Sequence, residues 1–319
     1  GGPGAGIEFG RHRCRTPRGV YLHREHQQRY RKIQVDVLYN KSDRQEFRWN
    51  MIFLLSLCLC YILINQFIKW DSPLEKLNYR KVKVKNSGGI IIALTSLFIS
   101  YMNLMINFND DTLYLTLGIS TIVFVGLLDD VFGDSNQKGF KGHLLSLTNL
   151  IITTGLIKAV VGFLVATSIS LLRGGSLVKI ATDILLVSFS INLINLLDLR
   201  PGRACKFFLI ISAVAMTYNF LCGNYNLIIT FSSVTAATVV FFSYDARELV
   251  MLGDAGANVL GLCLGLFLAW SVPLEYKIPI TALFILINLA AERYSFSLFI
   301  EQRPVINLLD SLGRKRPLK

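Results

Sequence analysis

The sequence predicts an all-α fold, a polytopic transmembrane bundle of about nine or ten helices. Three observations predict it. Apolar runs near 20 residues long recur along the chain, the length a helix needs to cross a hydrocarbon core of roughly 30 Å. The mean hydropathy of +0.48, with 52% hydrophobic and 17% charged residues, is too apolar for a soluble chain of 319 residues. Lys and Arg, finally, gather between the apolar runs. The net charge of +12 is therefore distributed as in membrane loops, and it gives no basis for a nucleic-acid partner.

Residues 1–50 have a different composition, with eleven Arg or Lys and no Met. Met51 stands directly before the first long apolar run. The expectation is that Met51 is the natural start and that 1–50 is a basic arm, non-native or disordered. The alternative is a genuine arm that binds anionic lipid. Residues 51–292 are then the transmembrane domain and 293–319 a C-terminal tail. Nine runs read as spans: 51–68, 89–108, 112–128, 149–172, 180–197, 207–222, 226–242, 257–272 and 278–292. Lys138 to Thr148 reads as an amphipathic segment at the interface. No repeat of 20–50 residues is evident.

Orientation follows from the loops. Those after odd-numbered spans, together with the tail, hold eighteen Lys or Arg, and those after even-numbered spans hold Arg173, Lys179 and Lys277 alone. The odd loops and the C-terminus are therefore expected in the cytoplasm. The six Cys, at 14, 58, 60, 205, 222 and 263, sit mostly inside apolar runs without CxxC spacing, and read as inert thiols.

Carboxylates at a membrane edge are costly and so mark function by default. Four polar strings stand out, all on the expected cytoplasmic side. Asp129-Asp130 closes the third span, with Asp134 four residues on; adjacent acids repel unless a cation or proton lies between them, and paired oxygens suit Mg²⁺. The plainer reading is a solvated acidic helix end. Asn192, Asn195 and Asp198 end the fifth span at a spacing that puts all three on one helical face, as cleft residues or as interhelical glue. Arg200 and Arg203 follow, able to grip a diphosphate or serving as ordinary loop charges. Gly253-Asp254-Ala255-Gly256 lets backbone approach an anion while Asp254 holds a metal, unless it is a plain turn. Lys85-Asn86-Ser87-Gly88-Gly89 opens the second span as a basic, flexible turn. Lys158, alone near the fourth span, either snorkels to the interface or reaches the cleft; the sequence favours the interface.

Taken in order, Gly88-Gly89, Asp129-Asp130, the string 192–198 and the turn 253–256 resemble the polyprenyl-phosphate N-acetylhexosamine-1-phosphate transferases, of the glycosyltransferase family 4 type. That group contains the phospho-MurNAc-pentapeptide transferases and the UDP-GlcNAc:undecaprenyl-phosphate GlcNAc-1-phosphate transferases. The resemblance covers roughly residues 51–292. It implies about ten helices, a cytoplasmic cleft that binds Mg²⁺, and transfer of a sugar-1-phosphate from a UDP-N-acetylhexosamine to polyprenyl phosphate with release of UMP. By the same resemblance Asp254 is a metal ligand, with Asp130 sharing the metal. Asp129 and Asp130 orient or deprotonate the lipid phosphate, Asn195 and Asp198 position the nucleotide sugar, and Asn192 supports them. Lys85, Lys138 and Lys141 attract phosphate, and Gly253 shapes the turn. A multi-pass protein of a bacterial plasma membrane is implied, with a homodimer compatible.

Two stretches depart from the family pattern. The last cytoplasmic loop, Glu292 to Pro304, lacks the usual His-rich motif, and the four His lie at 12, 23, 26 and 143. After Asp198 the repeated Asp-Gly of the family is replaced by Leu199-Arg200-Pro201-Gly202-Arg203. Either Arg200 and Arg203 compensate by holding the diphosphate, or the chain is a catalytically silent homologue that binds polyprenyl phosphate or a partner. A lipid transporter is a third reading, without inverted repeats or broken helices to favour it.

Overall fold

The computed structural model describes residues 17–70, 75–132, 154–294 and 296–314. The helices are α1 (Pro17–Lys69), α2 (Ile90–Ile106), α3 (Asp110–Phe132), α4 (Thr154–Arg173), α5 (Leu177–Leu197), α6 (Arg203–Leu221), α7 (Tyr225–Asp245), α8 (Gly253–Ser271), α9 (Leu274–Ala291), α10 (Phe296–Glu301) and α11 (Pro304–Ser311). Residues 1–47 and 48–319 form two units; in the first, the backbone of α1 is helical from Pro17.

Among the described residues eight helices are long and apolar enough to cross a membrane, the α1 portion counting from Asp43. The chain is thus an all-α, multi-pass membrane protein. α2 is shorter, 17 residues, because Gly88-Gly89 holds its start and Asn107 ends it in extended backbone. Each of the nine spans read from the sequence corresponds to one of these helices. The segment Lys138–Thr148 lies outside the described residues, as do Asp134, Lys138 and Lys141.

One element had no sequence signal. Glu75–Leu77 (β1) and Lys83–Lys85 (β2) pair antiparallel, Glu75 opposite Lys85 and Leu77 opposite Lys83. Asn78 builds the turn, its Oδ1 accepting from the backbone N–H of Arg80 (2.9 Å) and Val82 (3.0 Å). Three-residue strands among lysines are too short to show period-2 alternation.

The bundle packs around α8. Of its most apolar 18-residue window, 83% is buried, against 22% for the windows of α4 and α9. A helix apolar on every side belongs in the interior. In a membrane, water expulsion does not drive helices together, so close packing through small residues must. α8 supplies them: Gly261 and Gly265 meet the α5 backbone at Ile191 and Val187, and Ala255 meets Gly126 of α3. Phe267 stacks on Phe231 of α7 with ring centroids 4.3 Å apart.

At the N-terminal end of α5 lies a buried charge cluster. Lys277 Nζ is 2.6 Å from Asp183 and donates to the Ala269 carbonyl at 2.7 Å, while Lys179 approaches the same carboxylate at 3.1 Å. Lys277, counted from the sequence among loop charges, is only 2% exposed. Arg173 pairs with Asp111 and lies over the Trp270 ring, 4.5 Å from its centroid.

The tail docks at the opposite end of α5. Arg203, 5% exposed, clasps Asp310 with two bonds, Nε to Oδ1 at 2.8 Å and Nη2 to Oδ2 at 2.9 Å. Arg314 adds a third contact at 2.8 Å and donates to the Pro201 carbonyl. Burial alone would raise the Asp310 carboxyl; the two guanidinium groups outweigh it and hold it below the usual carboxylate range.

Two measurements check this architecture. A Cβ on Gly89 would stand 2.1 Å from Gly256 Cα, backbone against backbone. Gly89→Val should therefore destabilise the bundle by about 3 kcal/mol or more, read as a lower unfolding midpoint in detergent. Asp310 binds its proton more weakly folded than unfolded, so its ion pairs contribute stability at neutral pH that is lost as pH falls through the carboxylate range. The unfolding midpoint of Asp310→Asn should lie below that of the parent at pH 7, and the gap should close as pH drops below about 4.

Candidate active site

The site is built where two loops meet. Gly88 and Gly89 donate their backbone N–H groups to the carbonyls of Met251 and Leu252, each at 2.9 Å, and Met251 returns one to Lys85 at 2.8 Å. Lys85 and Val250 form a parallel bridge. The first and last of the four polar strings are thus joined backbone to backbone. Gly253 then turns the chain with φ +72°, a conformation that disfavours side chains, and α8 begins.

Asp130 lies beneath that start. It is 4% exposed, and its two oxygens accept from the backbone N–H groups of Asp254 and Ala255, both at 3.1 Å. Asn86 Nδ2 donates to it at 2.9 Å, and Lys76 Nζ stands 3.8 Å away. Asp130 therefore caps the amino end of α8, where the orphan N–H groups and the helix dipole both favour an anion.

Asp129 turns to another neighbour, as successive helical residues lie about 100° apart. Its Oδ2 is 2.9 Å from Lys158 Nζ of α4, and the same nitrogen is 2.5 Å from Asp254 Oδ1 of α8. Lys158 corrects the sequence expectation. It does not snorkel away; two carboxylates facing each other across α3 and α8 attract the ammonium more strongly than the interface does.

The fourth side is the end of α5. Asp198 caps that helix, half-buried, its backbone N–H donating to the carbonyls of Asn195 and Ile194, and its carboxyl lies beside the Gly253 backbone. Burial raises its proton affinity, and the charges of Asp245, Asp254 and Asp130 raise it further, so its carboxyl titrates well above the usual range. Asp245 accepts from the Gly202 N–H at 2.8 Å and so fixes the turn after Asp198.

Asp129, Asp130, Asp198, Gly253 and Asp254 thus come together. Other residues singled out in the sequence are engaged nearby or elsewhere. Asn195 is half-buried one turn before Asp198. Asn192 donates to Asn288 of α9 at 2.6 Å, the interhelical bond of the alternative reading. Lys85 donates to the carbonyls of Phe67 (3.2 Å), Ile68 (2.8 Å) and Trp70, where it neutralises the carboxyl end of α1. Arg200 pairs with Glu301 at 2.6 Å and stacks over Tyr79, and Arg203 is held by Asp310.

Sequence reasoning missed Asn86, Lys76 and Asp245 as members of the site. Asn86 alone carried a signal, lying inside a string already marked; Asp245 sits at a helix end like any solvated acid. Among the described residues no three His, Cys, Asp or Glu side chains gather with metal-ligand spacing. Asp129 and Asp254 offer two hard oxygen donors that converge on one point.

No curated protein matches the chain. A family model, Glycosyl transferase family 4, matches residues 112–272, just over half of the sequence. The match spans the first turn of α3 to the end of α8, a range that holds Asp129, Asp130, Lys158, Asp198 and Asp254. With its site carboxylates inside that span, the chain belongs to glycosyl transferase family 4.

Proposed function

We propose that this transferase moves a sugar-1-phosphate of the N-acetylhexosamine type from a UDP-sugar to a polyprenyl phosphate, such as undecaprenyl phosphate, and releases UMP. Family membership supports transfer of a phospho-sugar to a lipid carrier in general. The observation that carries the finer reading is the Asp129–Lys158–Asp254 constellation at the end of a membrane bundle. There a lipid phosphate can arrive from the bilayer and a nucleotide from water. Eighteen loop and tail cations against three support a cytoplasmic position for that end, and the resemblance to undecaprenyl-phosphate transferases suits a bacterial plasma membrane.

In the reaction, an oxygen of the lipid phosphate bonds to the sugar-bearing phosphorus. The bond from that phosphorus to the oxygen shared with the uridine phosphate breaks, and UMP leaves with the electron pair. Both reactants are anions, so charge neutralisation governs the barrier. The oxygen pair of Asp129 and Asp254 fits Mg²⁺, a hard ion that completes its shell with water and phosphate oxygens; when bound, it supplies neutralisation of the diphosphate. Asp254 and Asp129 would hold it, whereas Asp130 has both oxygens committed to α8 and acts by fixing Asp254. Asp198, at the end of α5, would position the nucleotide sugar. Asn195, half-buried one turn before Asp198, would serve nucleotide-sugar positioning.

A second reading, a silent homologue that binds polyprenyl phosphate, is favoured by one observation. Arg200 and Arg203, the two residues expected to compensate by holding the diphosphate, are already paired with Glu301 and Asp310.

The test is UMP release by purified protein with undecaprenyl phosphate, Mg²⁺ and a panel of UDP-N-acetylhexosamines. Release is expected with at least one donor, lost on chelation and lowered by about a hundredfold or more in Asp254→Ala. A folded sample that releases no UMP from any donor would select the silent homologue.

A further inference from the structure

Lys158 occupies the point on which the Asp129 and Asp254 oxygens converge. Its Nζ touches Asp129 Oδ2 at 2.9 Å and Asp254 Oδ1 at 2.5 Å, and its side chain is 16% exposed. The two oxygens come from different helices and converge on that one nitrogen. An ammonium and a divalent ion cannot share them: cations a few ångströms apart in a partly buried site repel by several kcal/mol. The other lysine facing the cluster offers a contrast. Lys76 is 47% exposed, forms an ion pair at 3.8 Å with Asp130, and reaches Asp129 only as a weaker charge from farther off.

We infer that Lys158 is a tethered counter-ion of Asp129 and Asp254 that a divalent cation displaces, which frees its ammonium to meet the phosphates of the substrates. This rests on the metal-dependent reading above and deepens it. Without the metal, the ammonium keeps two facing carboxylates from repelling each other. Once displaced, it remains at the same mouth on a flexible four-carbon stem, a compact charge whose natural partner is phosphate. Metal and anion binding are thereby linked through one side chain, and each strengthens the other.

The experiment measures Mn²⁺ affinity by electron paramagnetic resonance of the free ion, with the full chain in detergent. Lys158→Met, which keeps the stem and removes the charge, should bind Mn²⁺ about tenfold more tightly than the parent or better, while Lys76→Met should shift affinity by less than about threefold. Equal or weaker binding by Lys158→Met, or the same gain in Lys76→Met, would overturn the inference. A saturable Mn²⁺ site absent from every form would instead overturn the metal-dependent reading itself. A second measurement needs no variant. Amine acylation of the parent, read by mass spectrometry, should modify Lys158 several-fold faster once Mn²⁺ is added, and an unchanged rate would refute displacement.

Discussion

The site depends on two backbones lying closer than side chains permit. Gly88 and Gly89 bond to the carbonyls of Met251 and Leu252, and Gly89 lies against Gly256 with no room for a Cβ on either. That approach joins the start of α2 to the start of α8 and brings α8 down onto α3, where Ala255 meets Gly126. The orphan N–H groups at the head of α8 then fall within reach of Asp130. Every carboxylate of the site therefore sits at a helix end: Asp129 and Asp130 in the last turn of α3, Asp198 at the end of α5 and Asp254 in the first turn of α8. Such rigid placement is what positioning and electrostatic stabilisation need in phosphoryl transfer.

Asp129 and Asp130 show how adjacent acids divide their duties. Both cannot stay charged side by side without compensation. Asp130 is compensated by backbone N–H groups, the Asn86 amide and the amino end of α8. Asp129 is compensated by a side chain that can move, Lys158. The first arrangement is permanent and structural; the second can be exchanged for another cation. Asp198 belongs to neither class. Burial first, and the carboxylates around it second, raise its proton affinity.

Much of this was legible in the sequence because the bilayer imposes a length on apolar runs, and polar strings at their edges are conspicuous against that background. All nine spans and the four strings could be read this way. What escaped depends on contacts distant in sequence. Lys158 is a single cation in an apolar run, and its partners lie 29 and 96 residues away. Arg203 looked free to grip phosphate because Asp310, 107 residues on, gave no sign of pairing with it. Asn192 fits its helical face equally well as ligand or as glue, and only Asn288 decides that it bonds a neighbouring helix. The centrality of α8 was hidden too, since total hydrophobicity does not separate a helix facing lipid from one facing protein. Its glycines at 256, 261 and 265 mark the close contacts, but only with the partner helices in view.

The far end of α5 explains why Asp198 can be placed so firmly. Asp183 lies 15 residues earlier on the same helix, about 22 Å away at 1.5 Å per residue. There Lys277 ties α5 to α9 through the carboxylate and to α8 through the Ala269 carbonyl. A buried ion pair adds little net stability over a well-packed apolar pair, but breaking it by removing one partner is costly. What it supplies is register: a helix sliding by one turn would leave Asp183 and Lys277 apart and unpaired. With α5 fixed by charge at one end and packed against Gly261 and Gly265 along its length, the Asp198 end has little freedom. The carboxyl at that end then lies beside Gly253, in the cluster that α3, α4 and α8 assemble.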